Sequence, residues 1–313
     1  MSELEGILAE HSALASAGAG QFTVDPRRQR ELLARLGLQS TSQGFLKLCQ
    51  GIQRLRPARV VFRSGKNSLS VSFAHQLPLP EPVWEPSEPF GLALLNLSRE
   101  YHLRWEFHRA GTMRSGHVAP ESFRAEAPAS SPHQECWTDL QITRPDSRWW
   151  HRDWTTGVRR LLGPRLQWSR IEWAWNGVNL FQNEALSRIA TAVVLSTPDA
   201  PGELGGFSGW TGQLRVRLAD RVIEPHDLLN RPGHAALGAT RNSWSETFFV
   251  LDGVLLEGER NLLDRPGVVA VVSADGLTPA LSGLELVHDA AFRQRLQGLR
   301  PEVSWLDSIN QRG

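Results

Sequence analysis

The stretch that decides the fold runs from Gly44 to Phe73, GFLKLCQGIQRLRPARVVFRSGKNSLSVSF. Phe45, Leu48, Cys49, Ile52 and Leu55 recur at helical intervals and make one apolar face. This spacing predicts a helix over about Ser42 to Leu55, ended by Pro57. Val60 to Arg63 and Leu69 to Phe73 then read as strands joined by Ser64-Gly65-Lys66-Asn67. Leu69, Val71 and Phe73 alternate with Ser68, Ser70 and Ser72, the pattern of a sheet with one buried face.

Working back from this stretch, Glu3 to Ala15 reads as a short helix broken by the small residues from Ser16 to Gly20. Gln21 to Val24 reads as a strand. Asp25 is a good N-cap and Pro26 a good first residue for a helix over Arg27 to Leu36. Working forward, Pro78 to Pro89 holds five prolines and reads as a loop. A helix is expected over Phe90 to Tyr101 and a strand over Leu103 to His108. Gly111 to His133, rich in Gly, Pro, Ser and Ala, reads as a hairpin or an excursion. Trp137 to Thr143 alternates again, with Thr138, Leu140 and Ile142 on one face.

The character changes near Arg144 to Asp146. A helix is expected over Trp149 to Leu162 and a strand over Ile171 to Trp175. Asn176-Gly177 signals a tight turn into Val178 to Phe181. Further strands are expected at Ile189 to Leu195, Gln213 to Leu218, Thr247 to Leu251 and Gly267 to Ser273. Pro198 to Gly209 reads as a loop, and His288 to Leu299 as a last helix. The fold class is therefore α+β, with an N-terminal extension over 1–19, a first domain over 20–145 and a mixed α+β second domain over 146–313.

Composition sets bounds on function. Of 313 residues, 41% are hydrophobic and 21% charged, ordinary for a globular chain with a sizeable core. A net charge of +1 gives no global pull toward nucleic acid or anionic lipid. Only Lys47 and Lys66 are lysine, which leaves 32 arginines. Base composition of the genome explains such a bias, and recognition of phosphate or carboxylate is the sharper alternative. Cys49 and Cys136 are the only cysteines, too few and too far apart for a disulfide framework or a zinc site. The N-terminus lacks a basic n-region, and no run of about 18 apolar residues occurs, so a cytoplasmic protein without a membrane span is expected.

The order strand, helix, helix, two strands, loop, helix, strand, loop, strand resembles the ATPase fold of the gyrase, Hsp90 and histidine-kinase type. The residues that carry the resemblance are Phe22 to Leu38, Gly44 to Phe62 and Phe90 to Phe107. In the second half WAWNGVNL (Trp173 to Leu180), VLDGVLLEG (Val250 to Gly258) and SGLELVHD (Ser282 to Asp289) look like the companion domain, which in that superfamily resembles a ribosomal-S5-like transducer. The resemblance thus implies an Hsp90-type α/β sandwich followed by an S5-like domain.

Active members of that superfamily carry Glu-x-x-x-Asn on the first-motif helix, the asparagine holding Mg2+ and the glutamate activating water. The resemblance places Lys47 where the glutamate would stand and Gly51 where the asparagine would stand. The second motif, Asp-x-Gly-x-Gly, is replaced by Ala74-His75-Gln76-Leu77-Pro78, so His75 falls in the adenine region. A glycine-rich lid is missing, Gly91 being the nearest equivalent. A magnesium site without a protein oxygen ligand cannot support nucleotide chemistry. The resemblance therefore implies a degenerate pocket at Lys47, Gly51, His75 and Gly91, with no catalytic residue, metal or cofactor.

Other clusters were weighed. No histidine pair has the i, i+4 spacing of a helical metal site with a third ligand nearby. Gly206-Phe207-Ser208-Gly209 is one residue short of a nucleophile elbow and reads as loop. Arg148, Trp149, Trp150, Arg152 and Trp154 crowd into seven residues. They form either a partner-binding platform through stacking and cation–π contact or a packed junction between the halves. Trp173 and Trp175 share a face at strand spacing.

Two functions from different classes follow. One is a non-catalytic scaffold or regulatory subunit of a bacterial multi-protein system, with a protein partner. The alternative is a divergent protein that binds or hydrolyses ATP with Mg2+, its lysines or arginines contacting phosphate. Nucleic-acid binding ranks last because the arginines are diffuse and the charge is balanced.

Overall fold

The computed structural model describes residues 40–77, 79, 88–119, 122–131, 133, 135–145, 154–180, 193–196, 201–207, 216–218, 221–223, 235–239, 243–301 and 303–304. The elements expected over Glu3 to Ala15, Gln21 to Val24 and Arg27 to Leu36 lie outside them, as do Arg148, Trp149, Trp150 and Arg152.

The deciding stretch folds as its periodicity requires. Helix α1 (Thr41–Arg54) starts at Ser40, whose Oγ accepts the Gln43 amide hydrogen at 3.4 Å. Strands β1 (Arg59–Ser64) and β2 (Ser68–Ala74) pair antiparallel, with Phe62 opposite Val71. Leu69, Val71 and Phe73 are buried, while Ser68 and Ser70 are half-buried. Helix α2 (Pro89–Leu97) begins at its proline and stops at Leu97, short of the Tyr101 expected.

β3 (His102–Arg109), the strand expected over Leu103 to His108, pairs with β4 (Thr112–Ala119), which opens the segment read as hairpin or excursion. Short strands β5 (Ser122–Ala125) and β6 (Ala129–Ser130) pair with β4. β7 (Trp137–Thr143) lies between β2 and β3, with Thr138, Leu140 and Ile142 buried. Helix α3 (Trp154–Leu166) then crosses over to β8 (Glu172–Trp175), which pairs parallel with β1. A parallel neighbour requires such a long crossover.

The hairpin from β8 to β9 (Val178–Asn179) turns at Asn176 and Gly177, with φ of 50° and 82°. These left-handed values suit an Asn-Gly pair. Asn176 Oδ1 accepts from the Ser64 amide at 2.8 Å and fixes the turn to the end of β1. The first sheet therefore has the order β5-β4-β3-β7-β2-β1-β8-β9 and reaches Asn179. WAWNGVNL, expected with the second half from 146 onward, belongs to this first sheet. Its tryptophans explain why: Trp173 and Trp175 are buried and stack on Phe62 of β1 at 5.8 and 5.4 Å.

The second sheet contains β10 (Val193–Ser196), β11 (Pro201–Phe207), β12 (Val216–Leu218), β13 (Arg221–Ile223), β14 (Ala235–Ala239), β15 (Glu246–Leu251), β16 (Val254–Leu255), β17 (Glu259–Arg260) and β18 (Val268–Ser273). Its order is β13-β12-β11-β10-β14-β18-β15-β16, with β17 on β15. The loop expected over Pro198 to Gly209 is corrected here, because Pro201 to Phe207 is a strand. Its backbone pairs with β10 and β12, and ladder pairing outweighs a composition that reads as loop. β18 is buried along its whole length between β14 and a parallel β15. Helix α4 (Ala290–Gly298) is capped by Asp289, whose Oδ1 accepts from the Phe292 amide.

The fold is thus mixed α+β with a large, mostly antiparallel sheet, the class expected. One apolar cluster runs from Phe45 and Phe62 through Trp173 to Leu237, Phe249 and Val272. Both sheets therefore share a core, and α1 sits within it.

Candidate functional site

Helix α1 carries two of the four positions that the resemblance singled out, Lys47 and Gly51. Phe45, Leu48, Cys49 and Ile52 are buried in the core. Burial pushes the Cys49 thiol well above its ordinary pKa, so it is a packing group and not a nucleophile. Lys47, Gln50 and Arg54 follow one another at i, i+3 and i+7 and face the loops of the second sheet.

Lys47 is only 7% exposed, and its ammonium lies against Gly283. Burial, then the nearby Arg54, lowers its pKa to about 8, against the opposing pull of Asp252. Gln50 is fully buried; its Nε2 donates to the Gly283 carbonyl at 3.0 Å and to that of Leu251 at 3.4 Å. Gln50 Oε1 has no hydrogen-bond partner among the described residues. Arg54 donates from Nε and Nη2 to Asp252 Oδ2 at 3.1 and 3.0 Å. Gln53 reaches Ser169 Oγ at 2.5 Å. The hairpin turn Asp252-Gly253, with φ of 47° and 67°, thus docks on the end of α1. This face joins the two sheets.

Gly51, at i+4 from Lys47, meets helix α2. A Cβ added there would lie 2.6 Å from the Phe90 nitrogen and 2.7 Å from its Cα. Gly44, seven residues earlier on the same face, meets Asn96. The two glycines let α1 and α2 approach closely, and position 51 has no room for a side chain of any kind. Gly91 is buried inside α2.

His75 is a satisfied structural histidine. Its Nδ1–H donates to the Leu77 carbonyl at 2.7 Å, and Nε2 accepts from Thr138 Oγ1 at 3.0 Å. Burial lowers its pKa, partly offset by the Leu77 bond, so the ring is neutral. The four positions expected to surround a degenerate pocket therefore have different neighbours. Lys47 meets a loop of the second half at Gly283, Gly51 serves the α1–α2 contact, Gly91 is buried within α2, and His75 bonds to β7. Of the tryptophan cluster, Trp154 is half-buried against Tyr101 at 4.9 Å and Phe45 at 6.2 Å.

Three cavities lie elsewhere among the described residues. One of about 380 Å3 opens between Leu46, Arg165, Glu257, Glu259, Glu285 and His288. There His288 pairs with Glu259 at 3.1 Å and stacks on Phe292. Another of about 600 Å3 lies beside Arg265, Arg293 and Arg300. A third of about 590 Å3 lies at the end of α1, between Arg54, Arg56, Arg170 and Asp252. None of these three is lined by Lys47, Gly51, His75 or Gly91. Among the described residues no group of three or more His, Cys, Asp or Glu could hold a metal ion. No helix among them is long and apolar enough to cross a membrane.

Sequence reasoning missed Gln50, Asp252 and Gly283. Asp252-Gly253 was legible as a turn, but its docking on α1 was not. Gln50 gave a faint signal, a polar residue between apolar positions of a buried helix.

No family model matches the chain, and no curated protein does. Among solved structures it is similar to the ATPase region of Saccharomyces cerevisiae topoisomerase II, at 9% identity and a TM-score of 0.47, over 86% of this chain and 85% of that one. It is also similar to the B-subunit of the DNA gyrase from Myxococcus xanthus, at 10% identity and a TM-score of 0.46, over 85% of this chain and 88% of that one. Both are members of the superfamily that the sequence resembles. At these values the likeness says nothing of this chain's chemistry.

Proposed function

We propose that this chain is a non-catalytic interaction protein, a scaffold or regulatory subunit in a bacterial cytoplasmic multi-protein system. The observation that carries this reading is the packing of Gly51 on Phe90. Where the resemblance calls for a magnesium-binding asparagine, the backbone of α2 fills the space. Lys47 supports the same reading, because its side chain is buried with the ammonium beside Gly283. An ammonium also cannot serve as the base that activates water while it stays protonated. On this reading no nucleotide or magnesium ion takes part, and a protein partner does.

Calorimetric titration with ATP and Mg2+, run beside a turnover assay, tests the proposal. The expected result is no saturable heat and no turnover above a buffer blank. Saturable binding or turnover that Lys47→Ala removes would overturn it. Purification of the tagged chain from its own cells should also return a stoichiometric protein partner.

A further inference from the structure

Along β3, Leu103, Trp105 and Phe107 are buried in the core, which places Arg104, Glu106 and His108 on the other face of the sheet. Arg104 is exposed there and Glu106 half-buried, yet His108 is only 5% exposed. The chain just after β6 covers it. Ser131 Oγ lies 2.7 Å from His108 Nδ1, and the His133 ring meets the His108 ring edge to face at 4.7 Å. His133 in turn stacks on Trp137 of β7, at 5.3 Å and 10°. Trp137 is held by its Nε1–H, which donates to Asp139 Oδ2 at 2.6 Å.

The backbone closes the same contact. The Ser131 amide donates to the Gly111 carbonyl at 2.7 Å, and the Gly111 amide donates to the His133 carbonyl at 3.2 Å. Just before them, β6 pairs Ala129 and Ser130 with Met113 and Thr112. Ser131 Oγ accepts from the His133 amide at 2.9 Å and lies 3.3 Å from the His133 carbonyl. With a hydrogen on His108 Nδ1, Oγ accepts two N–H groups and gives its own hydrogen to that carbonyl, so the hydroxyl is fully used.

This clasp is built on a titratable group, since imidazole changes charge near neutral pH. Protonation puts a cation where little water reaches, edge to face with a second imidazole. Glu106 on β3 and Asp139 on β7 pull the other way, and the cross-strand neighbour on β4 is Met113, which carries no charge. Burial, with His133, outweighs the two carboxylates and holds the His108 pKa below its ordinary 6.5.

We propose that Ser131 and His133, with β6 before them, form a pH-sensitive strap that covers the sheet at His108 and Trp137 and lets go in weak acid. Release hydrates the imidazolium and bares the indole face on which His133 stacks. The closed form holds the His108 proton less tightly than the released form. It is therefore favoured above about pH 6.5 and loses ground as pH falls from there through the lower, closed-state pKa. The inference uses no residue of helix α1 and does not depend on the non-catalytic reading.

Amide hydrogen exchange of the full chain, read by NMR as protection factors from about pH 7.5 to about pH 5, tests the strap. The Ser131 and Gly111 amides should lose protection below about pH 6.5, by up to about tenfold per pH unit, the slope of a single proton. The amides of β18, buried along its length, are the reference and should keep theirs. In the same samples the His108 ring resonances should titrate over the range in which protection falls. His108→Gln keeps an N–H donor for Ser131 without a titrating ring, so protection of both amides should become flat with pH. Ser131→Ala should lower Gly111 protection throughout, by roughly fivefold, the worth of one hydrogen bond. Protection in wild type that ignores pH, a His108 titration outside the range of opening, the same pH dependence in His108→Gln, or unchanged Gly111 protection in Ser131→Ala would each overturn the proposal. Equal loss at β18 would mean that acid unfolds the whole chain, which overturns it as well. If His108→Gln does not fold, the match of ring titration to exchange in wild type still decides.

Discussion

Replacing Gly51 by alanine adds a methyl group 2.6–2.8 Å from the Phe90 nitrogen, Cα and Cβ. Two of those atoms are backbone, so they cannot rotate away, and α2 has to shift as a body. Alanine in place of a mid-helix glycine is worth about 1 kcal/mol of helix propensity. Overpacking a core costs ~1–3 kcal/mol, and a clash with backbone belongs at the upper end. The net expectation is a loss of roughly 1–2 kcal/mol. Gly157 of α3 is the control, since it is exposed and a Cβ there meets nothing within 4 Å. Gly157→Ala should therefore gain up to about 1 kcal/mol. Urea unfolding with linear extrapolation resolves a difference of this size between the variants. If Gly51→Ala is as stabilising as Gly157→Ala, α1 and α2 do not touch at this point. Position 51 would then have room for a ligand side chain, and the steric argument against a nucleotide site would fail.

Lys47 should give the stability curve a slope in alkali. Its folded pKa of about 8 lies below the ordinary 10.5, so between those values the unfolded chain holds a proton that the folded chain has released. Stability should rise with pH across that window, by at most ~3 kcal/mol relative to Lys47→Met, and the burial cost should be fully present below it. A flat difference between the two proteins would mean that the ammonium is solvated. Arg54 and Asp252 are 49% and 24% exposed, so a double-mutant cycle should return a coupling of no more than about 1 kcal/mol, reduced by salt. A coupling well above that would make the pair a main clamp between the sheets. Trp173→Ala should cost ~3–5 kcal/mol as a wholly buried ring on Phe62. Trp154→Ala should cost less, roughly 2–3 kcal/mol, because the ring is only half-buried. If Trp154→Ala leaves the unfolding midpoint unchanged, its packing on Phe45 and Tyr101 contributes nothing and the ring is free for a partner.

The sequence alone determined the local elements that rest on periodicity and turn chemistry. Phe45, Leu48, Cys49 and Ile52 made α1 legible, and alternation made β2 and β7 legible, because burial on one face imposes a period on the chain. Asn176-Gly177 was legible because few residue pairs accept two left-handed conformations in succession. The α+β class followed from those elements in order. Tertiary structure decided the rest. Trp173 lies in the first sheet because its ring stacks on Phe62, a contact between residues more than a hundred positions apart that no local pattern encodes. Pro201 to Phe207 is a strand because neighbours supply its ladder, against its composition. The fate of the candidate site was decided the same way. Sequence could say that Lys47 and Gly51 lack the groups for nucleotide chemistry, since a side chain's chemistry belongs to the residue itself. Only the packed structure could say that Lys47 ends on Gly283 and that Gly51 is filled by Phe90. Proximity is a property of the whole fold, and glycine, which carries no side chain to report its neighbours, is where a sequence says least about it.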